Sequence, residues 1–186
     1  MSDMVILDID ADFFFWPTAY DEDNKKEILA KQTQTKNIKE VLNRFIFKDP
    51  KRYKIFNDHD SLYYDIRLNN YLVTELIHID AHSDLSNNDG KFQEGVGIGN
   101  FITPLLNEQI IRSMTWLYQD EDNVGEDLFL SNVINLRFSD YNFLQQIDIA
   151  YFTISKEYCP PNNLDIQFKE YMDNLERPKK FQWSLK

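Results

Sequence analysis

The chain has 186 residues, 42% of them hydrophobic and 27% charged, enough apolar side chains to build a core and unlike a disordered chain. Acidic residues outnumber basic ones by 31 to 20, for a net charge of −11 and a pI near 4.7, which disfavours nucleic acid and favours cations: metal ions, or a basic small molecule or peptide. No apolar run approaches the roughly 20 residues of a membrane span, Asp8, Asp10 and Asp12 interrupt the one apolar run near the N-terminus, which is not a secretory signal, and the single cysteine, Cys159, suits a reducing compartment.

The length fits a single domain, 1–186, and the expectation is a soluble cytoplasmic protein with no membrane partner. In chain order, the first predicted strand is Met4–Asp10. A helical pattern follows over Asn24–Ile46, with Ile28, Leu29, Ile38, Val41, Leu42 and Phe45 apolar and a polar middle, Gln32–Asn37, as its breaking point. Ser61–Leu72 reads as a helix that either Asp58 or Asp60 could cap. A strand over Val73–Asp80, a helix over Asn100–Arg112 and a strand over Met114–Tyr118 come next. The acidic Asp120–Asp127 resembles a calcium loop only superficially and reads as a solvated turn. Strands over Asn132–Phe138 and Ile147–Ser155, a helix over Leu164–Leu175 and a basic, peripheral Arg177–Lys186 complete the chain. Several strands are apolar on both faces, as central strands are. Their alternation with helices predicts a three-layer α/β/α domain with a mainly parallel sheet.

Two segments carry chemistry. In Val5-Ile-Leu-Asp8-Ile-Asp10-Ala-Asp12, an apolar strand gives way to a carboxylate at every second position. Side chains alternate along a strand, so Asp8, Asp10 and Asp12 project to one side if the extended form continues. Like charges at the C-terminal end of a strand repel unless a cation neutralises them. Leu76-Ile-His78-Ile-Asp80-Ala-His82-Ser-Asp84 repeats the design, with carboxylate, imidazole and carboxylate at alternate positions. The chain has three histidines. His82 reads as a ligand, and His59, just before a helix, could supply a second imidazole. His78, inside the strand, reads as a hydrogen-bonded supporting or core residue. Two imidazoles and four or five carboxylates exceed the four ligands of one zinc ion and suit two divalent ions sharing carboxylates, with Mn(II) the first choice and Fe(II), Co(II) or Ni(II) as alternatives. Two such ions about 3.5 Å apart can hold one hydroxide between them at neutral pH, which is hydrolytic machinery.

Asp80-Ala-His82-Ser-Asp84 resembles the DAHxD motif of the ureohydrolase superfamily, which includes arginases, agmatinases and deacetylases. Asp8-Ile-Asp10-Ala-Asp12 resembles its DxD metal motif, and Asp58-His59-Asp60-Ser61 is similar to the GDHS segment that supplies the first histidine. Together they resemble a short, divergent branch, the uncharacterised-protein family 0489 type. That branch contains the peptide arginases, which turn arginine residues of ribosomally made precursor peptides into ornithine. Gly97-Ile-Gly99-Asn-Phe101 and Thr153–Pro161 extend the resemblance over most of the chain. It implies an arginase/deacetylase-like fold, a binuclear Mn(II) centre on Asp8, Asp10, Asp12, His59, Asp80, His82 and Asp84, and an arginine-containing precursor peptide as partner. Conventional arginases place DxD after DAHxD, whereas here it comes first. Which two of Asp8, Asp10 and Asp12 are ligands therefore stays open; equal strand height with Asp80 favours Asp8, and with it Asp10. No histidine follows His82 to match the arginase proton shuttle. Glu157 follows a buried strand and precedes Pro160-Pro161, a context similar to that of the arginase carboxylate that holds the substrate guanidinium.

The expected reaction is hydrolysis of a guanidino group to urea and ornithine, with Asp84 orienting the attacking hydroxide and relaying its proton, and Glu157 pairing with the distal nitrogens. Phe13–Trp16 reads as core, or as a stacking wall for guanidinium or peptide. Two alternatives remain at this point. Val-Ile-Leu-Asp8-Ile-Asp10 also fits the start of a metal-dependent phosphatase. A peptide-binding relative that has lost catalysis would keep the same motifs.

Overall fold

The computed structural model describes residues 4–17, 25–85, 96–97, 99–119, 131–156 and 158–176. Its elements in chain order are β1 (Met4–Asp10), β2 (Phe15–Trp16), α1 (Lys25–Lys31), β3 (Thr33–Gln34), α2 (Ile38–Leu42), β4 (Phe45–Phe47), β5 (Tyr53–Phe56), α3 (Ser61–Leu68), β6 (Val73–Ile79), α4 (Ile102–Asn107), β7 (Ile111–Tyr118), β8 (Val133–Arg137), β9 (Gln145–Ile147), β10 (Ile149–Thr153) and α5 (Leu164–Asn174). A short 3-10 turn, Ala11–Phe14, joins β1 to β2.

Six strands form one sheet in the order β5-β10-β1-β6-β7-β8, and every neighbouring pair is parallel. Apolar residues at consecutive positions of β1, β6, β7 and β10 let both faces of the sheet be covered. On one face Leu7, Ile9, Ile77, Ile79, Leu117 and Phe152 pack with Ile38, Val41 and Leu42 of α2 and with Leu164, Phe168 and Met172 of α5. On the other, Ile6, Leu76, Met114, Trp116 and Tyr151 pack with Leu62 and Ile66 of α3 and with Ile102, Leu105 and Leu106 of α4. The predicted parallel α/β layering therefore holds. Among the described residues no helix is long and apolar enough to cross a membrane.

The boundaries differ from the sequence reading where tertiary pairing outweighs local pattern. The Asn24–Ile46 pattern breaks in its polar middle: Thr33–Gln34 pair with Phe15–Trp16 as an antiparallel strand, and α2 restarts at Ile38 after Asn37, whose side chain accepts from Lys39 N at 2.8 Å. The long Ile147–Ser155 segment divides at Asp148. Its carboxylate accepts from Val5 N at 2.9 Å and pairs with Lys48 Nζ at 2.9 Å, which tucks the β4–β9 pair under the start of β1. Strand β5 was not anticipated: it is four residues long, carries Lys54 and occupies the sheet edge beside β10. Asp120–Asp127, Glu157 and Arg177–Lys186 lie outside the described residues.

Because the sheet is parallel, the C-terminal ends of β5, β10, β1 and β6 share one edge. Strand order also reverses around β1, with β5 and β10 on one side and β6, β7 and β8 on the other. Open α/β sheets bind ligands at such a switch point. Phe168 of α5 stacks on Phe152 with ring centroids 5.1 Å apart and meets Tyr53 edge-on at 5.6 Å. Phe168→Ala is expected to cost about 3–5 kcal/mol of stability, read as a lowered urea midpoint; a change under about 1 kcal/mol would show that α5 contributes little to this layer.

Candidate metal centre

The backbone delivers the predicted residues to the edge of β1 and β6 by different routes. Asp8 lies opposite His78, and Ile9 opposite Ile79, so Asp10 rather than Asp8 is level with Asp80; the expected equal height of Asp8 and Asp80 is corrected by the register. The extended form also stops at Asp10. That side chain accepts from Asp12 N at 3.2 Å and caps the Ala11–Phe14 turn, so Asp12 arrives from a turn and not by strand alternation. The turn is anchored because Phe13, Phe14 and Phe15 are core residues, not a stacking wall. His59 comes from the turn between β5 and α3. Asp60 stands at the N-cap of α3 with helical dihedrals and no side-chain capping bond, so it does not cap the helix as expected. Asp80, His82 and Asp84 follow β6. Asp84 has φ 51°, in the left-handed region that non-glycine residues enter only when the surroundings enforce it.

Every histidine of the chain converges here with five aspartates. His59 Nδ1 lies 2.9 Å from Asp84 Oδ2, 3.0 Å from Asp10 Oδ2 and 3.2 Å from Asp80 Oδ2, while its Nε2 lies 3.3 Å from Asp8 Oδ2. His78 Nδ1 is 2.9 Å from Asp8 Oδ2, and its Nε2 is 3.3 Å from Asp80 Oδ2. On the outer side His82 Nδ1 lies 2.9 Å from Asp12 Oδ2 and 3.5 Å from Asp80 Oδ1. Asp80 thus faces the inner group with one oxygen and the outer group with the other. All are buried except His82, which is partly open to solvent. Ligand atoms of Asp8, His59 and His78, of Asp10, His59 and Asp80, of Asp12, Asp80 and His82, and of His78, Asp80 and Asp84 each fall within 4.8 Å of one another.

The electrostatics of this cluster is unbalanced without a cation. Burial, with Asp12, Asp84 and Asp10 alongside, pushes the Asp80 carboxyl well above the usual range. Burial and Asp12 push Asp10 up as well. Asp8 feels the same burial, but His59 and His78 outweigh it and hold the carboxyl low. For His59, burial opposes the charged form, yet Asp10, Asp8 and Asp84 raise the imidazole well above its ordinary value; Asp12 does the same for His82. Asp8 Oδ1, Asp80 Oδ2, Asp84 Oδ2 and His78 Nε2 are buried without a well-formed hydrogen bond. Each such orphan costs about 1–3 kcal/mol. A divalent ion would neutralise the carboxylates and occupy the orphan atoms together, so these buried groups could hold a metal ion. The donors are oxygen and imidazole nitrogen. Burial, with Asp10 and Asp12 nearby, pushes the Cys159 thiol up to about 12, too high for a ready thiolate ligand.

Sequence reasoning overlooked the residues that hold this set in place. The Ser155 hydroxyl donates to Asp10 Oδ2, from a residue whose φ is 43°. Gln119, buried just after β7, donates its amide to the carbonyl oxygens of Phe13 and Phe15, with Phe15 O at 2.8 Å, and so fixes the turn bearing Asp12. Trp116 Nε1 donates to Asp80 O at 3.0 Å. Phe101, part of the Gly97–Phe101 segment, packs on His59 with centroids 5.0 Å apart. The one signal in the sequence was position: Gln119 and Ser155 each follow a buried strand at its C-terminal end. Ile98 and Glu157 lie outside the described residues.

No protein-family model matches the chain, and no curated protein or solved structure matches it. Fold and site together define a parallel α/β protein with a buried Asp/His cluster at the switch point of its sheet.

Mn(II) at about a thousand times its dissociation constant is expected to stabilise the fold by about 4 kcal/mol, reversed by a chelator. His59 and His82 hold protons that an ion must displace, so this gain is expected to grow with rising pH and fade as pH falls. A melting temperature insensitive to Mn(II), Zn(II) and Co(II) across that range would contradict the metal reading.

Proposed function

We propose that this chain is a metal-dependent hydrolase of the peptide-arginase type, with an arginase/deacetylase-like fold, that cleaves the guanidino group of arginine residues in a peptide. The observation that carries the reading is the convergence of the DAHSD-like segment Asp80–Asp84 with Asp8, Asp10, Asp12 and His59 at one sheet edge. When bound, a pair of divalent ions, Mn(II) by first choice, would supply Lewis acidity and a water acidic enough to ionise near neutral pH. The residues do the rest. The chain's net charge of −11 favours approach of a cationic guanidinium. Asp84 accepts a proton from the attacking water and passes it to the departing nitrogen, leaving the amine of ornithine and releasing urea. Glu157 pairs with the distal guanidinium nitrogens and fixes the carbon for attack, a role that rests on the resemblance.

The rival reading, a phosphatase built on Asp8 as nucleophile, needs that carboxylate exposed, and Asp8 is fully buried against His59 and His78. The chain's net charge of −11 also disfavours an anionic phosphate ester. The test is urea release from an arginine-containing peptide in the presence of Mn(II). Asp84→Asn is expected to lower turnover by a factor of about 100 or more, the scale of a positioned acid–base group. Absence of urea from every arginyl substrate, with metal demonstrably bound, would defeat the proposal; phosphate release from a phosphate ester would favour the rival.

A further inference from the structure

The geometry points to Asp8 as a positioning carboxylate that orients the His78 imidazole, and to His78 as a metal ligand through Nε2. This departs from the reading in which Asp8 binds an ion and His78 merely supports the site, and it rests on the metal-centre reading above.

Asp8 Oδ2 lies 2.9 Å from His78 Nδ1, in hydrogen-bond geometry, and 3.3 Å from His59 Nε2, which makes no well-formed hydrogen bond. A carboxylate oxygen accepts and cannot donate, so His78 presents its Nδ1–H to Asp8. In the neutral ring Nε2 is then a lone pair. It faces Asp80 Oδ2 at 3.3 Å and Asp84 Oδ2 at 3.7 Å. Lone pairs at these separations repel unless a cation lies between them.

The spacings are those of a coordination shell. Metal–ligand bonds of about 2.1 Å give ligand–ligand edges of roughly 3.0 Å at right angles and about 3.4 Å at tetrahedral angles. The four edges linking His59 Nδ1 and His78 Nε2 to Asp80 Oδ2 and Asp84 Oδ2 run from 2.9 to 3.7 Å. His78 Nε2, Asp80 Oδ2 and Asp84 Oδ2 are buried atoms without a well-formed hydrogen bond, and ligand atoms of these three residues lie within 4.8 Å of one another. Asp8 stands behind this shell: it is fully buried and lies opposite His78 in the register, two residues before the level of Asp80. A carboxylate behind an imidazole raises the basicity of the ligand and locks its orientation.

The test loads the full chain, carrying isotopically labelled histidine ring nitrogens, with a spin-active cadmium isotope. Through-bond coupling to cadmium is expected at His78 Nε2, with the ring proton on Nδ1. Asp8→Asn is expected to keep the number of bound ions and lose about 10- to 100-fold in affinity. If cadmium binds but neither nitrogen of His78 couples to it, the inference fails while the metal centre stands. An Asp8→Asn protein that folds normally by circular dichroism but holds one ion fewer makes Asp8 a ligand, through its orphan Oδ1, and overturns the inference in the same way. Failure to bind cadmium or Mn(II) at all sinks the metal-centre reading and this inference with it. The coupling pattern is read on the unsubstituted protein and so does not depend on how any variant folds.

Discussion

Five buried carboxylates and three imidazoles share one small volume at the edge of a parallel sheet, and the rest of the structure accommodates that fact. Each unpaired ion taken out of water costs on the order of several kcal/mol even after relaxation. Protons on His59 and His82 relieve part of the repulsion, but one imidazole nitrogen cannot satisfy the three carboxylates that crowd His59 Nδ1. A cation of charge two or more is the simplest occupant that satisfies them all at once. The sheet is arranged to meet that demand: its parallel strands end together, and the order reverses at β1, whose end bears Asp8 and Asp10.

What keeps such a cluster from collapsing is packing and main-chain hydrogen bonding around it. Phe13, Phe14 and Phe15 hold the turn after β1 in the core, and Gln119 ties the carbonyls of that turn to the end of β7. Trp116 donates to the carbonyl of Asp80, and Ser155 to the carboxylate of Asp10. Asp84 and Ser155 both adopt left-handed backbone conformations beside the cluster. Strain of this kind, on the order of 1 kcal/mol or more per residue, concentrates where a side chain must be aimed. The inner group is buried, and His82 on the outer side is partly open to solvent.

Much of this was legible in the sequence, because apolar runs ending in alternating acids have few other ways to fold. Met4–Asp10 coincides with β1, and the cluster contains Asp8, Asp10, Asp12, His59, Asp80, His82 and Asp84. What was not legible is relational. Register puts Asp10 level with Asp80, and no property of either segment alone encodes that pairing. His78 was expected as a hydrogen-bonded supporting or core residue, and it is buried with a hydrogen bond to Asp8; that Asp8 is its partner follows from the register alone. The turn at Ala11–Phe14 interrupts an alternation that reads as continuous strand. Strand β5 was hidden by its length and its lysine, and Gln119 by being an amide with no chemistry of its own.

We propose that a pair of divalent ions would bind these groups into a unit, with Asp80 facing both halves. The most direct measurement is elemental analysis of metal per chain in the native protein and in Asp80→Ala and Asp12→Ala variants. The account predicts about two ions in the native protein, loss of both or nearly both in Asp80→Ala, and loss of one in Asp12→Ala. A native chain purified and reconstituted without any bound ion, or an Asp80→Ala chain that keeps its full complement, would contradict it.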